Sequence, residues 1–360
     1  MNPLLQLKEL GQSPWLDYIQ RDLLTDGGLQ RLIDEDGIAG VTSNPAIFAK
    51  AVTEHDDYDE AIRALRARGD KVEALYETLA LDDIRAAADL LAPVYRDSRR
   101  RDGYVSLEVS PELADDSAAT IVEARRLWRA IERPNAMIKV PATRAGLDAI
   151  RELTALGINI NATLIFSPAR YSEVADAWAE GIAERESAGL PIDGVASVAS
   201  FFVSRIETLA DEQLAASAPQ LRGKVAVAAA KTAYQLFRAV YDSVGWQRLR
   251  EEGCPTQRLL WASTSTKNPD YPDTKYVDEL IGPDTINTLP MKTLAAYRDH
   301  GRPERRVDQG LDEARAVLDG LREAGIDFDE LAARLEREGV DKFKQAYHRL
   351  LQSLEQAVGQ

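Results

Sequence analysis

Eight short apolar or alternating runs recur along this chain, separated by longer stretches of helical periodicity, and that alternation restricts the fold more than any other feature. The runs fall at 15–19, 38–42, 104–109, 136–140, 158–166, 195–203, 259–263 and 285–289. Alternation of this kind reads as parallel βα units, and eight of them in 360 residues predict a (β/α)8 TIM-type barrel rather than an open sheet. The chain has no Gly-x-Gly-x-x-Gly turn, which weighs against a dinucleotide-binding sheet. Between the second and third runs the connection is long, with charged helical patterns around 58–68 and 72–98, and these predict extra helices packed on the barrel. From Pro303 the pattern is helical to the end, with Phe343, Tyr347, Leu350 and Leu354 forming an apolar stripe that reads as core. The expected organisation is a barrel over 1–300 with helices of 301–360 docked on it, a single domain overall.

Strand parity turns this fold into chemistry. In a closed barrel alternate residues face the interior and their neighbours face the helices. In Ala136-Met137-Ile138-Lys139-Val140-Pro141, Met137 and Lys139 share a face. In the fifth run Asn159, Asn161 and Thr163 share one, and in the third Ser106 and Glu108 do the same. Polar faces of this kind must look inward, because helices cover the outside. Asp17, expected on the first strand with Trp15 and Ile19, adds a second carboxylate. An amine so placed is either paired with a carboxylate or kept partly neutral, and a neutral amine is a nucleophile.

Each residue also has a plain structural reading. Lys139 and Glu108 could form a fixed buried ion pair, and Asn44 could cap the helix begun by Pro45. Thr143 fits a cap as well, Asn161 and Thr163 could satisfy one another, and Asp17 alone suits a solvated or capping position. Taken jointly these readings weaken, since a ring of ionisable and amide groups at strand ends is costly to desolvate without a use.

The composition narrows the partners. A formal net charge of -15 argues against nucleic acid or an anionic membrane, while leaving room for a small anion in a local cationic pocket. One cysteine, Cys254, precludes an internal disulfide framework. His55, His300 and His348 are too scattered for a metal site. With no secretory-type start and no apolar run of membrane-spanning length, a cytoplasmic location is expected.

Five motifs in consistent order resemble those of the transaldolases. They are Thr42-Ser43-Asn44-Pro45, Val105-Ser106-Leu107-Glu108-Val109, Ile138-Lys139-Val140-Pro141-Ala142-Thr143, the stretch from Gly157 through Asn161 and Thr163 to Ser167, and Ser200-Phe201-Phe202-Val203-Ser204-Arg205. The resemblance implies a class I, Schiff-base barrel enzyme of the pentose phosphate pathway that needs no metal or organic cofactor. Such enzymes move a dihydroxyacetone unit from sedoheptulose 7-phosphate to glyceraldehyde 3-phosphate. Carried over residue by residue, it makes Lys139 the nucleophile, Glu108 a proton relay through water, Asp17 the base that drives carbon-carbon cleavage, and Thr163 the residue positioning the water. Asn44 and Asn161 would hold the hydroxyls of the adduct, with Ser200 beside them and Phe202 also among the substrate-binding residues. Arg205 resembles a phosphate anchor, and Lys267 stands where many members carry arginine. A fructose 6-phosphate aldolase sharing the lysine is the alternative, although Phe202 favours transfer because the aldolase branch resembles this family with a tyrosine there. More distant alternatives are another Schiff-base aldolase and a non-catalytic phosphosugar-binding barrel. The oligomeric state, monomer or homodimer, stays open.

Overall fold

A computed structural model describes residues 2–69 and 71–359. Its eight strands are β1 (Gln12–Leu16), β2 (Gly40–Thr42), β3 (Tyr104–Glu108), β4 (Ala136–Pro141), β5 (Ile160–Ile165), β6 (Ser197–Phe202), β7 (Arg258–Ala262) and β8 (Thr285–Leu289). All neighbours pair in parallel in sequence order, and β1 closes on β8 with Gln12 opposite Thr285 and Leu16 opposite Leu289. The expected (β/α)8 barrel is therefore present, with every predicted run supplying a strand.

The largest departure lies at β1, which begins and ends three residues earlier than its apolar run. Gln12 and Ser13 are polar, yet they pair well at this end of the barrel: Gln12 Nε2 donates to the Leu280 carbonyl, and Ser13 Oγ donates to Asp102 at 2.7 Å. Those partners make a strand out of residues that carry no apolar signal. Asp17 consequently lies just past the strand rather than on it. Its amide still extends the ladder by donating to the Leu289 carbonyl at 2.9 Å, which holds the side chain at the strand's carboxyl end.

The strand-to-helix junctions follow from local chemistry. Asn44 accepts from the amides of Ala46 and Ile47 ahead of the helix Pro45–Glu54, and Ser167 accepts from Arg170 ahead of Pro168–Ser187. In both, proline takes the first helical position, where its missing N–H costs nothing. The connection from β2 to β3 carries three helices, Pro45–Glu54, Asp59–Arg66 and Val72–Asp97. In β5 the alternation breaks. Leu164 adopts φ +60, and the register with β6 shifts between Ala162 and Ile165. A bulge of this type re-aims the side chains that follow it.

The C-terminal helix, Phe328–Gly359, packs on Pro45–Glu54, on Ser204–Ser217 and on the end of β5. It thus lies across the carboxyl ends of the strands. Phe343, Leu350 and Leu354 are buried as the stripe predicts, while Gly339 lets the helix settle onto Leu164, whose Cδ2 would sit 3.1 Å from an added Cβ.

The strand that bears Lys139 is held by a close contact with the next helix. Gly146, in Arg144–Ala155, approaches the Pro141 carbonyl so tightly that a Cβ there would lie 1.8 Å from the oxygen. The Thr143 hydroxyl also accepts from the Gly146 amide at 3.0 Å. A Gly146→Ala substitution should therefore cost about 1–3 kcal/mol of stability by overpacking. Urea unfolding of the two proteins checks this, and an unchanged midpoint would show that the junction yields freely.

Candidate active site

Register brings the polar parities together. Glu108 on β3 lies opposite Lys139 on β4, and Lys139 lies opposite Asn161 on β5. Around them runs a chain of hydrogen bonds across the barrel interior. Ser200 Oγ donates to Asn161 Oδ1 at 2.7 Å, and Asn161 Nδ2 reaches Ser106 Oγ at 3.0 Å. Asn161 and Thr163 therefore do not satisfy one another. The Thr163 hydroxyl is buried with no hydrogen-bond partner among the described residues.

Lys139 is 4% exposed and its Nζ donates to the Ser43 carbonyl at 3.2 Å. The Glu108 carboxylate stands 3.9 Å away, and neither of its oxygens makes a hydrogen bond to a described protein group. This is a loose contact rather than the fixed ion pair that the amine and carboxylate alone would suggest. Burial pushes the Glu108 carboxyl up to about 7, with Asp17 adding to the rise and Lys139 and Arg205 opposing it. Asp17 accepts from the Thr42 hydroxyl at 2.8 Å. Burial raises its carboxyl too, against the pull of Lys139, Thr42, Arg205 and Lys267.

Above this cluster opens a cavity of about 550 Å³ between the strand ends and the C-terminal helix. Asp17, Asn44 and Lys139 line it, as do Ser200, Phe202, Arg205 and Lys267. Asn44 serves its helix as a cap through Oδ1, at 3.0 Å from both amides, so only Nδ2 remains for a ligand. Asn161, Thr163 and Glu108 do not line this cavity. Asn161 is fully buried with both ends of its amide engaged, so it supports Ser200 rather than facing the cavity. Glu108 borders a separate cavity of about 460 Å³ that it shares with Tyr76 and Tyr347.

The mouth is strongly cationic. Arg205 stacks over Phe202 at 5.3 Å, and its Nη1 is buried without a hydrogen-bond partner among the described residues. Burial lowers both Arg205 and Lys267, and the Arg205 charge adds to the effect on Lys267. The Lys267 ammonium donates to Ser265 Oγ at 2.6 Å. The sequence motifs did not reveal Lys50, Lys292, Lys342 or Arg349, which also line the cavity. Phe343 went unrecognised as well, although its ring lies 5.9 Å from the Lys139 ammonium. A signal existed: Lys342, Phe343, Ala346 and Arg349 share one helical face by their spacing, and a stripe edged with cations differs from a plain core stripe.

The family model described as Transaldolase/Fructose-6-phosphate aldolase matches residues 14–354. A transaldolase of Thiobacillus denitrificans is 48% identical over 355 residues, covering 98% of this chain and 99% of that protein. One of Mycobacterium tuberculosis is 47% identical over 358 residues, with 98% and 96% covered. Transaldolase 2 of a Nostoc species is 45% identical over 373 residues, with 99% and 98% covered. The chain belongs to the transaldolase/fructose-6-phosphate aldolase family.

Proposed function

We infer that this protein is a transaldolase in which Lys139 forms a Schiff base with a ketose phosphate. The observation that carries the reading is a buried lysine on a cavity wall, 3.9 Å from a carboxylate raised to about 7, under a cationic rim. In its unprotonated form the Lys139 amine attacks the carbonyl carbon of sedoheptulose 7-phosphate. Glu108, near neutrality in its protonation, gives a proton through water to the hydroxyl that leaves the carbinolamine, and an iminium results. Asp17 then takes the proton from the hydroxyl on the carbon being released. The carbon-carbon bond breaks, its electron pair moves into the iminium to give an enamine, and erythrose 4-phosphate departs. The enamine adds to the aldehyde carbon of glyceraldehyde 3-phosphate, and Asp17 returns its proton to the new alkoxide. Water finally releases fructose 6-phosphate and regenerates the amine.

The remaining residues suit positions around this path. Asn44 Nδ2 and Ser200 can hold adduct hydroxyls, with Asn161 orienting Ser200 from below. Thr163 has a free hydroxyl to direct water towards Glu108. Arg205 offers a guanidinium with an uncommitted Nη1 for phosphate, and Lys267 adds a point charge. Phe202 supports transfer over release, since a phenyl ring cannot supply the proton that the enamine carbon needs before dihydroxyacetone can be hydrolysed off.

Borohydride reduction in the presence of fructose 6-phosphate should attach a three-carbon adduct to Lys139, found by peptide mapping, and Lys139→Ala should abolish trapping and turnover. Adduct on another lysine sinks the assignment. Coupled assays with and without acceptor aldehyde should show product only with acceptor. Arg205→Ala should raise KM for phosphorylated substrates by about tenfold or more, as expected for loss of a charge-assisted contact. A KM change equally large for dihydroxyacetone donors lacking phosphate would contradict that role.

Glu108 also predicts a pH signature in stability. Its folded value of about 7 exceeds the ordinary 4.5, so between these values the folded state holds a proton that the unfolded chain has lost. That favours folding at low pH, and the advantage disappears as pH rises through about 7. Glu108→Gln should therefore gain stability relative to the parent protein between about pH 5 and about pH 8. Parallel unfolding curves at the two pH values would refute the raised carboxyl.

A further inference from the structure

The barrel has a second, cationic cavity at its opposite mouth, which the chemistry above does not use. It measures about 360 Å³ and is bounded by Tyr104, Ser197 and Arg258, which stand at the starts of β3, β6 and β7. Lys139 and Glu108 stand at the other ends of their strands. Five arginines, at 99, 100, 101, 250 and 258, line this cavity with only two aspartates, Asp193 and Asp284. On a chain of net charge -15 such a concentration needs a reason.

Part of the answer is structural. Arg258 is 4% exposed and binds Asp102 at 2.9 Å, Ser13 and the Thr285 carbonyl, so it helps tie the base of the barrel. Arg101 pairs with Asp284 at 2.7 Å. The rest is not absorbed by such pairing. Arg100 reaches Asp193 only at 3.9 Å, Arg250 donates to the Tyr241 carbonyl but to no carboxylate, and Arg99 has no ion pair among the described residues. On the floor, the buried Nε of Arg258 has no hydrogen-bond partner. Burial pushes the Arg258 guanidinium down, with Asp102 opposing the fall and the neighbouring Arg101 adding to it.

We propose that this cavity binds a small, multiply charged phosphate compound, held by Arg99, Arg100 and Arg250 at the rim above a floor on which the Arg258 Nη groups are already committed to the Arg101 carbonyl, Asp102, Ser13 and the Thr285 carbonyl. Planar guanidinium groups recognise phosphate oxygens through paired donors, and the volume matches a compact metabolite rather than a polymer. Arg99 and Arg100 both adopt left-handed backbone conformations, φ +54 and +66, in the turn that brings the arginines to the cavity.

The test uses inorganic pyrophosphate as probe and calorimetry as readout. An Arg205→Ala/Lys267→Ala protein weakens phosphate binding at the substrate mouth, and it should still bind one equivalent of pyrophosphate. Adding Arg99→Ser and Arg250→Ser should weaken that binding about tenfold or more, while the same two changes in the parent protein leave transaldolase turnover unchanged. Asp193→Asn, which removes a competing carboxylate, should tighten it and supplies an isosteric change at an exposed position. Absence of saturable binding in the Arg205→Ala/Lys267→Ala protein overturns the proposal, as does affinity that neither the arginine changes nor Asp193→Asn alters.

Discussion

The desolvation of Glu108 and Lys139 inside a closed ring of strands is the constraint on which the site depends. Taken out of water separately, an ammonium and a carboxylate each lose several kcal/mol, roughly, of hydration. A tight pair would recover much of that through contact and hydrogen bonds. Here the two stand 3.9 Å apart with neither carboxylate oxygen hydrogen-bonded, so little is recovered and the carboxyl relaxes towards its neutral form. The barrel supplies the rigidity that keeps them at this distance. Ser106, Asn161 and Ser200 bridge β3, β5 and β6 beneath the pair, and Gly146 fixes the end of β4 against its helix. A flexible scaffold would let the two collapse into a tight ion pair.

Much of this was legible in the chain because barrels impose a period of two on every strand. Lys139, Glu108 and Asn161 could be placed on inward faces from alternation alone, and β3, β4 and β8 fell where their apolar runs lay. Legibility failed where polar residues did the work of apolar ones. The start of β1 is built on Gln12 and Ser13, which find partners in Leu280 and Asp102, residues far away in sequence. It failed again at Leu164, because a left-handed residue in a strand leaves no mark in a leucine. Parity also places a residue on the interior face without saying whether it reaches the cavity. Asn161 and Ser200 share an interior, yet only Ser200 lines the open space.

The cationic rim was the hardest part to foresee. Lys50, Lys292, Lys342 and Arg349 come from three separate helices; Lys342 and Arg349 edge an apolar stripe, while nothing in the local sequence distinguishes Lys50 and Lys292 from solvated surface charges. Only the fold reveals that they surround one opening. This distribution reconciles an acidic protein with anionic substrates: the long-range field is unfavourable, while the last few ångströms are strongly attractive.

The helix Phe328–Gly359 carries a consequence for the order of assembly. Asp17 lies near the beginning of the chain and Phe343 near its end, yet both border the same cavity. During synthesis the strands are all available before the segment that roofs them has left the ribosome. A barrel formed at that stage would hold its lysine open to any passing aldehyde or ketone. On the Schiff-base reading proposed above, reactivity and protection would therefore arrive at different moments, the amine being most open to adventitious modification in the interval between them.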